Sequence, residues 1–359
     1  MPQPALCLYQ RKKRRELAER TEVSEKFPAA PVKQRGCAII VVMPEEVSLA
    51  DVRAAAQRIR ALAKRTPVLT SRGFCRQTGL RTTFKCENFQ TTGAFKIRGA
   101  SNRILSLTPE ELTRGVLAFS SGNHAQATAY AARFAGCKAT IVMPSDAPRS
   151  KMEATRDFGA SIVSYDRMKE DREAIARRLA EETGAVLVPP FDHPQIIAGQ
   201  GTAALELVED VPEIDAIITP VGGGGLLAGC AVAAKGLNPN IRVFGAEPEQ
   251  ANDAWQSLRA GRRIKIPMPD TIADGLRPPV VGRITFPIIQ RLAEDILLVT
   301  EEEIRAVVKY LMARLKIVVE PSGAVPAAAV LFGKLPAGIR HVGVVLSGGN
   351  VDFDVLSSL

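Results

Sequence analysis

The chain has 359 residues, 46% hydrophobic and 24% charged, with a formal net charge of +9. That is ordinary globular composition, long enough for two domains or one large α/β unit. No stretch approaches the ~18–20 uninterrupted apolar residues of a membrane helix, so no membrane association is expected. Six scattered cysteines without a CxxC pair, and three histidines, argue against a zinc-finger or disulfide scaffold. No signal-peptide pattern is evident, which makes the cytoplasm the expected compartment.

Residues 1–42 carry nine Lys/Arg against four Glu, leaving only +4 for the remainder. The run Arg11–Arg15 could serve as an electrostatic arm, but a disordered, solvated extension is the preferred reading. No nucleic-acid partner is expected. Regular patterning begins at Ser48, which caps a helix predicted to run through Arg65, with Asp51 at capping-box distance. Thr108-Pro109-Glu110-Glu111 is a second helix start, with Pro at the first helical position. Thr300 with Glu303 is a third. Between such helices lie short apolar runs at 139–143, 161–165, 216–221, 243–247 and 341–346. This alternation predicts a mostly parallel sheet covered by helices. In such sheets ligands bind beyond the carboxyl ends of the strands.

Four segments at those positions are candidates for chemistry. Gly222-Gly223-Gly224-Gly225 follows a predicted strand and precedes a helical run. Its consecutive amides and the positive helix end suit a phosphate, and a tight turn is the structural alternative. The spacing is not GxGxxG and no Walker lysine follows, which disfavours a dinucleotide fold or an ATPase. Lys96 stands between Phe95 and Ile97; burial there would lower its pKa and make it a nucleophile or general base. Ser120-Ser121-Gly122-Asn123-His124 follows the apolar run 116–119 and suits a carboxylate or a ring oxygen. Ser347-Gly348-Gly349-Asn350 ends the last predicted strand.

In chain order these segments read FKIRGA, SSGNHAQ, VGGGGLLAG, EPSGA and LSGGN. Together they resemble the fold-type II pyridoxal-phosphate enzymes, the family of tryptophan synthase β, and within it the serine/threonine dehydratase and serine racemase group. The resemblance implies two open, twisted α/β domains with the cofactor between them. The large domain would comprise 43–112 and 190–359, and a small mobile domain 113–189. It implies that Lys96 forms a Schiff base with pyridoxal phosphate and takes the substrate α-proton. Phe95 packs beside the ring, Asn123 bonds its phenolic oxygen, Gly222 to Gly225 hold the phosphate, and Ser347 faces the pyridine nitrogen. Ser120, Ser121, Asn123, His124 and Arg172 are the implied substrate contacts, with Ser121 able to exchange a proton on the ring face opposite Lys96. Glu247, the Ala251 carbonyl and Asp253 match a Mg²⁺ or Ca²⁺ site, for which a surface acidic turn is the plain alternative.

The implied reaction is loss of water from L-threonine or L-serine, giving a 2-oxo acid and ammonia. A neutral Ser347 partner stabilises a full carbanion less than a carboxylate would, which favours elimination over transamination. Serine racemisation and dehydration of 3-hydroxyaspartate are the alternatives; a non-catalytic, basic-armed binding protein is the remote one. One departure bears on the choice: Pro278 stands where a racemase offers a serine hydroxyl, beside Arg277, which could favour a second acidic group. The resemblance also implies a homodimer, and the chain ends soon after SGGN without the regulatory domain of biosynthetic threonine dehydratases.

Overall fold

The computed structural model describes residues 47–147 and 149–359, and the predicted 1–42 extension lies outside them. Among the described residues the strands are β1 Val68–Thr70, β2 Arg81–Cys86, β3 Val116–Phe119, β4 Ala139–Pro144, β5 Ser161–Tyr165, β6 Val186–Leu187, β7 Ala216–Pro220, β8 Arg242–Pro248, β9 Asp295–Val299 and β10 His341–Leu346. They form two sheets, a six-stranded one in the order β1-β2-β10-β7-β8-β9 and a four-stranded one in the order β5-β4-β3-β6. Every pairing is parallel except β1 with β2, at one edge. The four-stranded sheet is built wholly from the middle of the chain, and the segments on both sides of it join the larger sheet.

The parallel order follows from the helices that cross between strands. All three predicted helix starts are present, and each is closed by a capping box: Ser48 with Asp51, as expected, and also Thr108 with Glu111 and Thr300 with Glu303. The first of these helices ends sooner than expected, at Ile59 rather than Arg65. Gln90 takes both backbone groups of Lys64: its Oε1 accepts from the Lys64 amide and its Nε2 donates to the Lys64 carbonyl, each at 2.8 Å. That long-range pair removes Lys64 from the helix. Strands β1, β2, β6 and β9 are not among the expected ones: β1 and β6 are only three and two residues long, β9 carries an apolar run at 296–299 that is missing from the expected set, and β2 holds a fully buried lysine, Lys85.

Helix Lys96–Ile104 crosses helix Pro194–Asp210 at close range, for a Cβ on Gly199 would stand 2.6 Å from the Arg98 carbonyl oxygen. This backbone-to-backbone approach seats the first turn of the Lys96 helix against the protein interior. Beneath it, Arg98 is completely buried and donates to both oxygens of Glu87 (2.7 and 2.8 Å) and both of Glu206 (2.7 and 2.8 Å). Lys85 Nζ completes the group, donating to Glu206 at 2.6 Å. Two positive and two negative charges thus neutralise one another inside the fold, as buried charges require.

Candidate active site

Lys96 opens its helix, and its Nζ donates to the Pro190 carbonyl at 2.8 Å. Burial pulls the amine down to about 8, although the nearby charge of Glu320 works in the opposite direction. The Phe95 ring lies beside it, with Nζ 5.1 Å from the ring centroid. The Phe95 amide donates to the Ser347 carbonyl at 3.0 Å, and Ala94 bridges Gly348 in antiparallel fashion. These backbone bonds bring the end of β10, with the buried Ser347, to the residue that precedes Lys96.

Asn123 begins helix Asn123–Ala135 beyond the end of β3. Its Nδ2 donates to Glu320 Oε1 at 2.8 Å, and its Oδ1 accepts from Asn350 Nδ2 at 2.9 Å. Glu320 was not among the residues expected at the site. The available signal was its place in EPSGA, a lone carboxylate ahead of a buried apolar helix. Burial pushes Glu320 up to about 8, reinforced by the charge of Asp274 and opposed by Asn123, Lys151 and Lys96.

The glycine loop packs against Phe191, the residue after the Pro190 whose carbonyl accepts from Lys96. Gly224 is left-handed (φ 87°) and caps helix Gly225–Leu237. Cβ atoms at Gly223 and Gly225 would meet Phe191 at 2.2 and 3.0 Å, so close packing demands glycine there whatever is bound. The Gly223 carbonyl is turned toward the protein, accepting from the Gly282 amide and from Thr285 Oγ1. Among the described residues, the amides of Gly222 to Gly225 donate to no protein acceptor. Both expected roles of the loop therefore coincide: tight packing on one side and a row of free donors at a helix N-terminus, which fits a phosphate, on the other.

The other expected residues divide. Ser120 Oγ accepts from the Gly122 amide at 3.2 Å, which shapes the turn holding Ser121. His124 faces inward: its Nε2 donates to the Val188 carbonyl at 2.9 Å, and burial, with the Lys96 charge, pushes it down to about 3. It is a neutral, structural histidine whose bonded nitrogen is committed to the backbone. Arg172 starts helix Arg172–Thr183 and places its guanidinium 5.6 Å from the Phe119 ring, at the end of β3. Glu247 and Asp253 are both fully buried, which rules out a surface turn. Glu247 accepts from the amides of Ala254 and Trp255. Neither oxygen of Asp253 receives a hydrogen bond of good geometry. Among the described residues no group of three or more His, Cys, Asp or Glu side chains could hold a metal; the expected set has two carboxylates and a carbonyl.

A buried lysine of lowered pKa, a row of free glycine amides and a buried serine hydroxyl are what a phosphorylated aldehyde cofactor requires. The family of pyridoxal-phosphate dependent enzymes matches this chain over residues 59–348. The chain belongs to that family. It is a fold-type II pyridoxal-phosphate enzyme, of the lyase and racemase kind that acts on β-hydroxy amino acids. It is 48% identical over 309 residues to the L-threo-3-hydroxyaspartate ammonia-lyase of Saccharomyces cerevisiae, covering 86% of this chain and 95% of that one. Maize serine racemase superposes with a TM-score of 0.84 at 45% identity, over 87% of this chain and 96% of the other. A threonine deaminase from T.th. does so with a TM-score of 0.81 at 47% identity, over 85% and 99%. Three differently named activities thus stand at nearly equal distance from this pyridoxal-phosphate enzyme.

Proposed function

We propose that this enzyme removes water from L-threonine and L-serine by α,β-elimination, giving a 2-oxo acid and ammonia. The observation that carries the reading is the buried Lys96 amine, held at about 8, with the uncharged Ser347 brought close by the bond from the Phe95 amide to the Ser347 carbonyl. Bound pyridoxal phosphate supplies the electron sink that makes the α-proton removable. Lys96 Nζ accepts that proton. The Cα–H electron pair becomes the Cα=Cβ bond as the Cβ–O bond breaks, and the leaving hydroxide departs as water on taking a proton. The released enamine tautomerises to an imine, which water hydrolyses to the oxo acid and ammonia. Ser120, Ser121 and the first amides of helix Asn123–Ala135 bind the substrate carboxylate at a positive helix end. Residues 113–189 act as the small domain that closes over 43–112 and 190–359, excluding water. The family resemblance supports a homodimer.

A second reading, L-threo-3-hydroxyaspartate as substrate, is favoured by Arg277. Its loop touches the glycine loop, since a Cβ on Gly222 would lie 3.2 Å from the Gly275 carbonyl oxygen and 3.4 Å from Pro278 Cδ. A guanidinium complements a second carboxylate in a bidentate manner, and the S. cerevisiae relative carries that substrate in its name. Oxo acid and D-amino acid, measured together with L-serine, L-threonine and L-threo-3-hydroxyaspartate, decide among the readings. Oxo acid from threonine or serine is the expected outcome. A preference of more than about 100-fold for hydroxyaspartate, the scale of one buried charged contact, would transfer the assignment to the second reading. Predominant D-serine would show that Ser121 governs and that the enzyme is a racemase.

The Glu247–Asp253 pair fits a hard divalent cation, Mg²⁺ or Ca²⁺, with the Ala251 carbonyl as a third ligand. Burial raises both carboxyls, Glu247 well above its usual range, where the Asp253 charge adds to the effect, and Asp253 to about 7. A carboxyl raised on folding makes the native state hold protons that the unfolded state releases. Metal-free protein should therefore lose stability as pH rises from about 4, the ordinary carboxylate value, through about 7. Mg²⁺ at about 100 times its dissociation constant should restore about 2.7 kcal/mol. Thermal melts at pH 7.5 with Mg²⁺ and with chelator test this, and Asp253→Asn should erase the difference. Identical melts of the unsubstituted enzyme in both conditions would remove the metal.

A further inference from the structure

We propose that the left-handed turn Thr92–Gly93 and Asn350 form a polarity relay that fixes which way the Asn123 amide faces, leaving one Asn123 N–H free for the phenolic oxygen of the cofactor. The inference rests on the proposed contact between Asn123 and that oxygen. An asparagine amide has two nearly isosteric orientations that exchange donor and acceptor, so something in the structure must choose between them.

Glu320 alone does not choose. As a carboxylate it accepts only from Nδ2, but burial holds it at about 8. When protonated it could donate equally well to a reversed Asn123 Oδ1. The choice comes from the other side, and it begins at the backbone. Thr92 is one of two non-glycine residues with positive φ among those described, at φ 63° and ψ 13°, and Gly93 follows at φ 73°. A β-branched residue seldom adopts this conformation. Here it aims the Thr92 carbonyl at Asn350. A carbonyl can only accept, so Asn350 must present Nδ2 to it, at 2.7 Å. The same Nδ2 donates to Asn123 Oδ1 at 2.9 Å. With Oδ1 thus claimed, Asn123 Nδ2 faces Glu320 Oε1, which takes one of its two protons. The second proton is the spare donor.

The surroundings hold each link in place. A Cβ on Gly93 would stand 2.1 Å from Asn350 Oδ1, so only glycine admits the asparagine there. The Gly93 carbonyl accepts from the Gly349 amide at 2.9 Å, joining the turn to the segment that carries Asn350. Glu320 is anchored through its own amide to the Gly348 carbonyl at 3.0 Å. The relay thus runs from one backbone carbonyl through two amide side chains to a carboxyl, and its direction is independent of the protonation of Glu320.

Asn350→Asp tests the relay, because it keeps the shape and replaces the donor with a second acceptor. The readouts are the visible absorption of bound pyridoxal phosphate, its pH midpoint and the cofactor dissociation constant, in a double-mutant cycle with Asn123→Ala. Asn350→Asp should lower the visible band and shift its midpoint by about one pH unit, the scale of one hydrogen bond to a charged oxygen. It should also weaken cofactor binding about tenfold, and both effects should vanish in the Asn123→Ala background. An unchanged spectrum in Asn350→Asp, or equal shifts in both backgrounds, overturns the relay. An unchanged spectrum in Asn123→Ala alone overturns the ring contact on which it rests. Should Asn350→Asp fail to fold, Asn350→Ala, which loses the donor without adding charge, should shift the spectrum in the same sense and lose that shift in the Asn123→Ala background.

Discussion

Lys96→Ala should abolish covalent attachment of pyridoxal phosphate and lower turnover at least about 10⁴-fold, because it removes nucleophile and general base together. Borohydride reduction followed by mass spectrometry reads the attachment, and oxo-acid release reads the turnover. The pH dependence is specific to the burial of this amine. Attack on an aldehyde needs the neutral amine, so capture of the cofactor by apoenzyme should accelerate as pH rises, with a midpoint near 8. Glu320→Gln removes the charge that works against burial and should move that midpoint lower. A midpoint in the ordinary lysine range, above about 10, would contradict the burial argument even with Lys96 confirmed as the attachment site.

The second large effect is on stability. Arg98→Met should destabilise the protein by about 3–5 kcal/mol, the cost of leaving a buried charge without its partner. The group beneath the Lys96 helix is neutral because Arg98 and Lys85 face Glu87 and Glu206. Removing Arg98 leaves one negative charge unmatched, and Glu87 would then have to protonate or draw in water. Adding Glu87→Gln restores neutrality, so the Arg98→Met/Glu87→Gln double variant should be more stable than Arg98→Met alone. Urea unfolding of the three proteins measures the difference. Equal losses in the single and double variants would mean that packing, rather than charge balance, dominates at this position.

Local chemistry was legible without tertiary information. Three helix starts were readable because each uses residues no more than three apart, and the strands beyond which Ser121, Gly222 and Ser347 lie were readable because burial on both faces leaves short, mostly apolar runs. The ordered motifs identified the family, whose glycines and lysine follow from the needs of a phosphate and an aldehyde. What depended on long-range partners was not legible. The first helix stops at Ile59 because a glutamine thirty-one residues later captures Lys64. β2 did not read as a strand because its buried Lys85 is stabilised by Glu206, far along the chain.

At the site the division is the same. The resemblance carried by the ordered motifs named Lys96, Phe95, Asn123, the glycine loop and Ser347 as expected cofactor contacts; residue type and position alone marked only their segments as candidates. His124 was named as a substrate contact, yet its orientation is set by the Val188 carbonyl, which only the packed four-stranded sheet supplies. Glu320 went unnamed because a carboxylate before a proline reads as a helix start until the fold buries it beside Asn123 and Lys96. The sequence by itself pointed to the cofactor chemistry through the family resemblance of its ordered motifs, and short-range spacing marked the capped helices and several of the strands. Only the tertiary structure decided which atom of the Asn123 amide faces Glu320, which charges are buried together and how far the pKa values of Lys96 and Glu320 move, because each depends on groups brought together across roughly a hundred or more residues of chain.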